Sequence, residues 1–312
     1  MASGSTKVIM AALFANLGIA IAKFVGYLVT GSSSMLAETI HSVADTTNQG
    51  LLLLGGYKSR KEATPEHPFG YGRERYFWAF VVSLVLFSLG GVFAIFEGFS
   101  KLGEHGHVIE NVGWAIGILM LGLVLEGYSF RTAVKESSTL KGESGWWHFI
   151  RHSRNPELPV VLLEDFGALI GLVLALIGIG LATITGDARW DAYGTIAIGV
   201  LLVAIALVLV VEMKSLLIGE SAREPMRRSI VDAIEGTDHV VRVLHMRTQH
   251  LGPEELLVAA KVEFDERLDS ENLTEVIDRA EANVRAVVPI ARMIYIEPDF
   301  HDPEHPDLDG EA

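Results

Sequence analysis

The sequence predicts an α-helical membrane protein: six transmembrane helices followed by a small cytoplasmic α+β domain of αββαβ, ferredoxin-like order. Three observations carry that expectation. Half of the 312 residues are apolar, and several apolar runs reach the roughly 20 residues that cross a bilayer. Basic residues gather in alternate connections between those runs, as cytoplasmic loops do. After residue 217 the long apolar runs give way to short amphipathic and alternating segments.

The spans are read at 8–30, 34–57, 76–100, 112–130, 157–184 and 190–214, each an apolar stretch between polar or Gly-rich breaks. The turn Gly31-Ser-Ser-Ser34 joins the first two. Lys58, Arg60, Lys61, Arg73 and Arg75 lie between spans two and three, and Arg131, Lys135, Lys141, Arg151 and Arg154 between four and five. The opposite connections carry only Lys101 and Arg189. The positive-inside rule then puts both termini in the cytoplasm of a multi-pass cell (inner) membrane protein. Met1–Lys7 reads as no cleavable signal, because no short apolar region with a small-residue cleavage site follows it. Gly145-Trp-Trp-His-Phe-Ile-Arg-His152 reads as an interfacial anchor. Asn155-Pro156 supplies the start of span five.

The domains expected are a membrane domain at 1–217, a cytoplasmic αββαβ dimerisation domain at 218–300 and a disordered acidic tail at 301–312. Within the second, Glu224–Glu235 is amphipathic with Pro225 in its first turn. Val240–Thr248 and Glu255–Phe264 alternate as strands around a Gly252-Pro253 turn. Ser270–Val288 is a helix with Ser270 as cap, and Ala291–Glu297 a third strand. A three-stranded domain of about 80 residues is marginal alone, which favours a homodimer.

Charge and composition narrow the chemistry. The formal charge is −14, with acids concentrated in the C-terminal third. That argues against nucleic acid as a partner and suits cation handling. There is no cysteine, so a metal site must use His, Asp, Glu or water.

Charged residues inside the spans are the sharpest signal. His41 and Asp45 stand at i, i+4 on one helical face. A charge at mid-bilayer costs about 2.5–3.5 kcal/mol, so it needs a partner, a cavity or a job. A rise of 1.5 Å per residue puts this pair roughly 10–16 Å deep from one side and Asp165 about 13 Å deep from the other. Spans two and five can therefore close one metal site from His41, Asp45 and Asp165, which are also the candidate proton-coupling groups. Glu164 is read as a fourth ligand, although it points about 100° away from Asp165. Glu38 is a supporting partner for these ligands. Glu97, Glu126 and Lys23 are expected to snorkel toward the interface. His and carboxylates suit Zn²⁺ and leave Mn²⁺, Fe²⁺, Co²⁺ and Cd²⁺ open. The divalent ion is substrate; no cofactor is expected.

Three stretches resemble the cation diffusion facilitator family. They are Ala37-Glu-Thr-Ile-His41-Ser-Val-Ala-Asp45, His67-Pro-Phe-Gly-Tyr-Gly-Arg-Glu74 and Ser215-Leu-Leu-Ile-Gly-Glu-Ser221 with the αββαβ segment behind it. Leu163-Glu-Asp165, the Trp-rich insert and Arg247-Thr-Gln-His-Leu-Gly-Pro253 resemble the branch that includes the mitochondrial zinc transporter nine and its prokaryotic relatives. The resemblance implies export of a divalent metal, Zn²⁺ foremost, in exchange for protons by alternating access. It also implies a hinge ion pair, for which Arg73 and Glu220 are the nearest equivalents. Many relatives carry His-x-x-x-Asp in span five; here Val161 stands at the histidine position. Positions of accessory cytoplasmic zinc ligands fall on Leu244 and Ala260, while His245 and His250 do not match, so no binuclear cytoplasmic site is expected. His67 is given a structural role.

Two alternatives stay open. One is an Mn²⁺ or Fe²⁺ exporter with the same mechanism. The other is a metal-gated channel, disfavoured because channels use symmetric rings of like charge. An enzyme is not expected, since neither HExxH nor a nucleophile triad is evident.

Overall fold

The computed structural model describes residues 2–103 and 111–300, with side chains from residue 16 onward except that of residue 140. The tail expected at 301–312 lies outside them. The chain divides into two compact units: Met1–Lys58 with Arg75–Lys214, and Ser59–Glu74 with Ser215–Ala312.

The first unit is helical. α1 (Ala2–Thr30) and α2 (Ser33–Lys58) turn at Gly31, whose φ of +64° suits glycine. The third expected span is α3 (Glu74–Val85) continuing through a π-helical segment, Leu86–Val92, into α4 (Phe93–Gly103). α5 (Val112–Lys141) is 30 residues long, well past the expected end at 130. The Trp-rich insert is a short helix, α6 (Trp146–His152); Lys141 at the end of α5 lies over its Trp146 ring, and Arg151 over its Trp147 ring. α7 (Glu157–Thr185) and α8 (Arg189–Ile218) complete the unit. Asn155 Oδ1 accepts the Glu157 N–H at 3.1 Å, so the cap expected for α7 forms.

Among the described residues four helical stretches are long and apolar enough to cross a membrane: Glu74–Gly103, Val112–Thr139, Glu157–Thr185 and Arg189–Ile218. α2 falls short because it carries Glu38, His41, Asp45 and Asn48, all of them buried. Small residues allow close helix packing. A Cβ on Gly91 would meet Val203 N at 3.0 Å, and one on Gly199 would meet Ile95 N at 2.7 Å.

α2 is fixed at its N-terminus by α8. The buried Asp191 carboxylate accepts hydrogen bonds from Ser33 N (2.7 Å), Ser33 Oγ (3.0 Å) and Ser32 Oγ (2.9 Å). It thus stands in for the missing partners of the first helical turn, where negative charge is also favoured.

The second unit holds a sheet of order β1-β2-β3. β1 (Val240–Gly252) pairs antiparallel with β2 (Glu255–Phe264), and β2 pairs parallel with β3 (Ala291–Pro298). β1 extends four residues beyond the expected end at Thr248, because His250 and Gly252 still pair with Leu256 and Glu255. α9 (Glu224–Glu235) and α10 (Ser270–Val287) supply the helices, and α10 is the crossover that a parallel pair needs. Asp269, not Ser270, caps α10: its side chain accepts Asn272 N–H at 2.9 Å. Alternate β2 residues Leu256, Val258, Ala260, Val262 and Phe264 pack with Ile230, Ile234, Val276 and Val284 into one core.

The Ser59–Glu74 segment folds with this sheet. Its glycine-rich end lies against the β1–β2 turn, so a Cβ on Gly72 would sit 2.8 Å from Leu251 O and 2.6 Å from Glu255 Oε2. His67 is held there by its backbone, with N–H to Thr64 O at 3.0 Å and the carbonyl accepting from Gly70 N at 2.9 Å, while its ring lies 4.7 Å from that of Tyr71.

Candidate metal site

His41, Asp45 and Asn48 occur at i, i+4 and i+7, so one stripe of α2 carries all three. That stripe faces α7. His41 is 1% exposed and Asp45 8% exposed. His41 Nδ1 lies 3.6 Å from Asp45 Oδ1, too long for a hydrogen bond. Both His41 nitrogens and Asp45 Oδ1 are buried without a hydrogen-bond partner among the described residues. Buried polar atoms are paired in the great majority of cases, so an imidazole with neither nitrogen engaged is exceptional.

From α7, the buried Glu164 completes the group. Its Oε1 accepts a short hydrogen bond from Asn48 Nδ2, and its carboxyl also interacts with that of Asp45. Asp165 turns to the other side of α7, where its Oδ2 accepts from Ser129 Oγ of α5 at 2.8 Å. The expected set is therefore divided: His41, Asp45 and Glu164 share the α2–α7 face, and Asp165 lies apart from them. Among the described residues no three His, Asp or Glu side chains converge tightly enough to hold an ion outright.

Two features escaped the sequence reading. Asn48 orients Glu164, and the i+7 spacing from His41 was the available signal. Lys23 does not snorkel: it is fully buried, and its Nζ donates to Glu38 Oε2 at 2.9 Å and to Ser42 Oγ at 2.8 Å. Glu38 ties α2 to α1 through Lys23, and among the described residues it makes no hydrogen bond to His41 or Asp45. Glu126, also expected to snorkel, is 9% exposed on α5. Arg73 and Glu220 belong to the same compact unit.

Chemically, an imidazole and two buried carboxylates are the kinds of nitrogen and oxygen donor that divalent cations take. Residues 9–218 match the family model described as the cation efflux transmembrane domain. The chain belongs to the cation efflux family and is a multi-pass membrane protein. It is 34% identical over 276 residues to "Proton-coupled zinc antiporter SLC30A9, mitochondrial" of Homo sapiens, a match covering 87% of this chain and 48% of that protein. The Mus musculus counterpart is 33% identical over the same shares. The chain thus spans about half the length of these curated relatives. "Magnetosome protein MamB" of Magnetospira sp. (strain QH-2) is 22% identical over 93% of each chain. A solved form of the MamM C-terminal domain covers 25% of this chain and 94% of that one, at 20% identity and a TM-score of 0.24.

Proposed function

We propose that this chain exports a divalent metal cation, Zn²⁺ foremost, from the cytoplasm in exchange for protons. The observation that carries the reading is the buried His41–Asp45–Glu164 group, whose imidazole nitrogens have no hydrogen-bond partner among the described residues. The name of the human and mouse relatives, a proton-coupled zinc antiporter, supports zinc and proton coupling.

The chemistry of coupling follows from the ligands. A ligand must lose its proton before it binds metal, so protons and metal compete for the same atoms. The Asp45 and Glu164 carboxyls interact with each other, so a metal arriving there displaces whatever proton the pair carries. Exporting a doubly charged ion from a negative-inside cell costs about 4.6 kcal/mol per 100 mV, and each entering proton returns about 2.3 kcal/mol per 100 mV. Alternating access follows from movement of α7 against α2, which carry the two halves of the site. Asp165, one step round α7, takes part when α7 presents its α5-facing side. A homodimer through the αββαβ unit, an Arg73–Glu220 hinge pair, cytoplasmic termini and a cell-membrane location complete the proposal.

The test is metal-driven proton flux in proteoliposomes at two pH values, with Zn²⁺ competed by Mn²⁺, Fe²⁺ and Cd²⁺. The proposal expects Zn²⁺ to drive proton movement, with weaker apparent binding at the lower pH. Zn²⁺ flux that ignores the pH gradient would mark a channel, and preferential Mn²⁺ or Fe²⁺ flux would change the substrate.

A further inference from the structure

A second buried ionic group lies on the neighbouring stripe of α2. Glu38 and Ser42, at i and i+4, both accept from Lys23 of α1. Lys23 and Glu38 are each fully buried. The other Glu38 oxygen has no hydrogen-bond partner among the described residues and occupies space left by Gly171 of α7, where a Cβ would come within 2.6 Å of it. A Cβ on Gly122 of α5 would lie 3.6 Å from Lys23 Cε. Four helices thus enclose the pair. Lys23 also interacts electrostatically with Asp45 and with the buried Glu126, and with His41. Holding two charges out of water is expensive, and a well-packed apolar pair often does as well for stability alone.

We propose that Lys23 is a resident counter-cation of the metal site. By cancelling Glu38 it keeps a further carboxylate charge from adding to Asp45 and Glu164 on adjacent stripes, and so limits how tightly the divalent ion is held. A carrier that releases its cargo needs that limit, because excess affinity in one state slows turnover.

This inference rests on the proposed function, and the test separates the two. Zn²⁺ binding to the purified full chain is measured by competition with a zinc-chelating fluorophore, alongside proteoliposome flux. Lys23→Met leaves an uncompensated carboxylate and should tighten Zn²⁺ binding about tenfold while lowering maximal flux. Glu38→Gln leaves an uncompensated ammonium and should weaken binding about tenfold. The double variant removes both charges and should return to within about threefold of the parent. A plain staple between α1 and α2 predicts weakening in both single variants and no recovery in the double; that pattern overturns the inference. If Lys23→Met does not fold, Glu38→Gln against the double variant carries the same contrast. A parent chain that binds no Zn²⁺ would instead overturn the functional reading, and this inference with it.

Discussion

Glu164 and Asp165 are adjacent acids on one helix, yet they serve different neighbours. Glu164 is 5% exposed and meets Asn48 and Asp45 of α2. Asp165 is half-buried and is held by Ser129 of α5. A turn of about 100° per residue separates them. Depth in the bilayer does not decide which helix an acid meets: both acids reach the same level, and only Glu164 faces the imidazole helix. What distinguishes the α2–α7 face is its unmet bonding, since both His41 nitrogens and Asp45 Oδ1 are buried without a hydrogen-bond partner among the described residues.

The largest effect expected to sharpen this comparison is from Asp45→Ala. It removes the carboxylate that touches both His41 and Glu164, and should lower Zn²⁺-driven proton flux by more than about 100-fold, since ligands outweigh the 10–100-fold typical of their supporting partners. Full flux from that variant would break the site. Next is Asn48→Ala, which frees Glu164 from its donor; Zn²⁺ affinity should fall about tenfold, measured by dye competition. An unchanged affinity would mean that Glu164 needs no orienting. Smallest is Ser129→Ala on the Asp165 side, expected to stay within about twofold of the parent in the same assay, as suits a partner of a residue outside the resting site.

Much of the fold was legible because long apolar runs and basic loops follow directly from bilayer physics. Four of the six expected spans are of this kind, while the αββαβ order and the Asn155 cap were readable from alternation and capping residues. The π-helical segment was not legible, since Leu86–Val92 reads as ordinary apolar helix. At the site, His41 and Asp45 were visible as costly charges at helical spacing. Glu164 and Asp165 could not be ranked, because helix rotation is set by packing against α2 and α5 rather than by their own residues. Lys23 was misread for a related reason. A long side chain near a span's end can snorkel or pair, and the choice depends on Glu38 and Ser42, which a different helix brings to it.

The central claim is that α2 and Glu164, not α2 and Asp165, form the resting metal site. The most direct measurement is Zn²⁺ affinity of Glu164→Gln against Asp165→Asn in the purified full chain. The account predicts a loss of about 30-fold or more for the first and less than about threefold for the second. Equal losses, or a larger loss from Asp165→Asn, would contradict it.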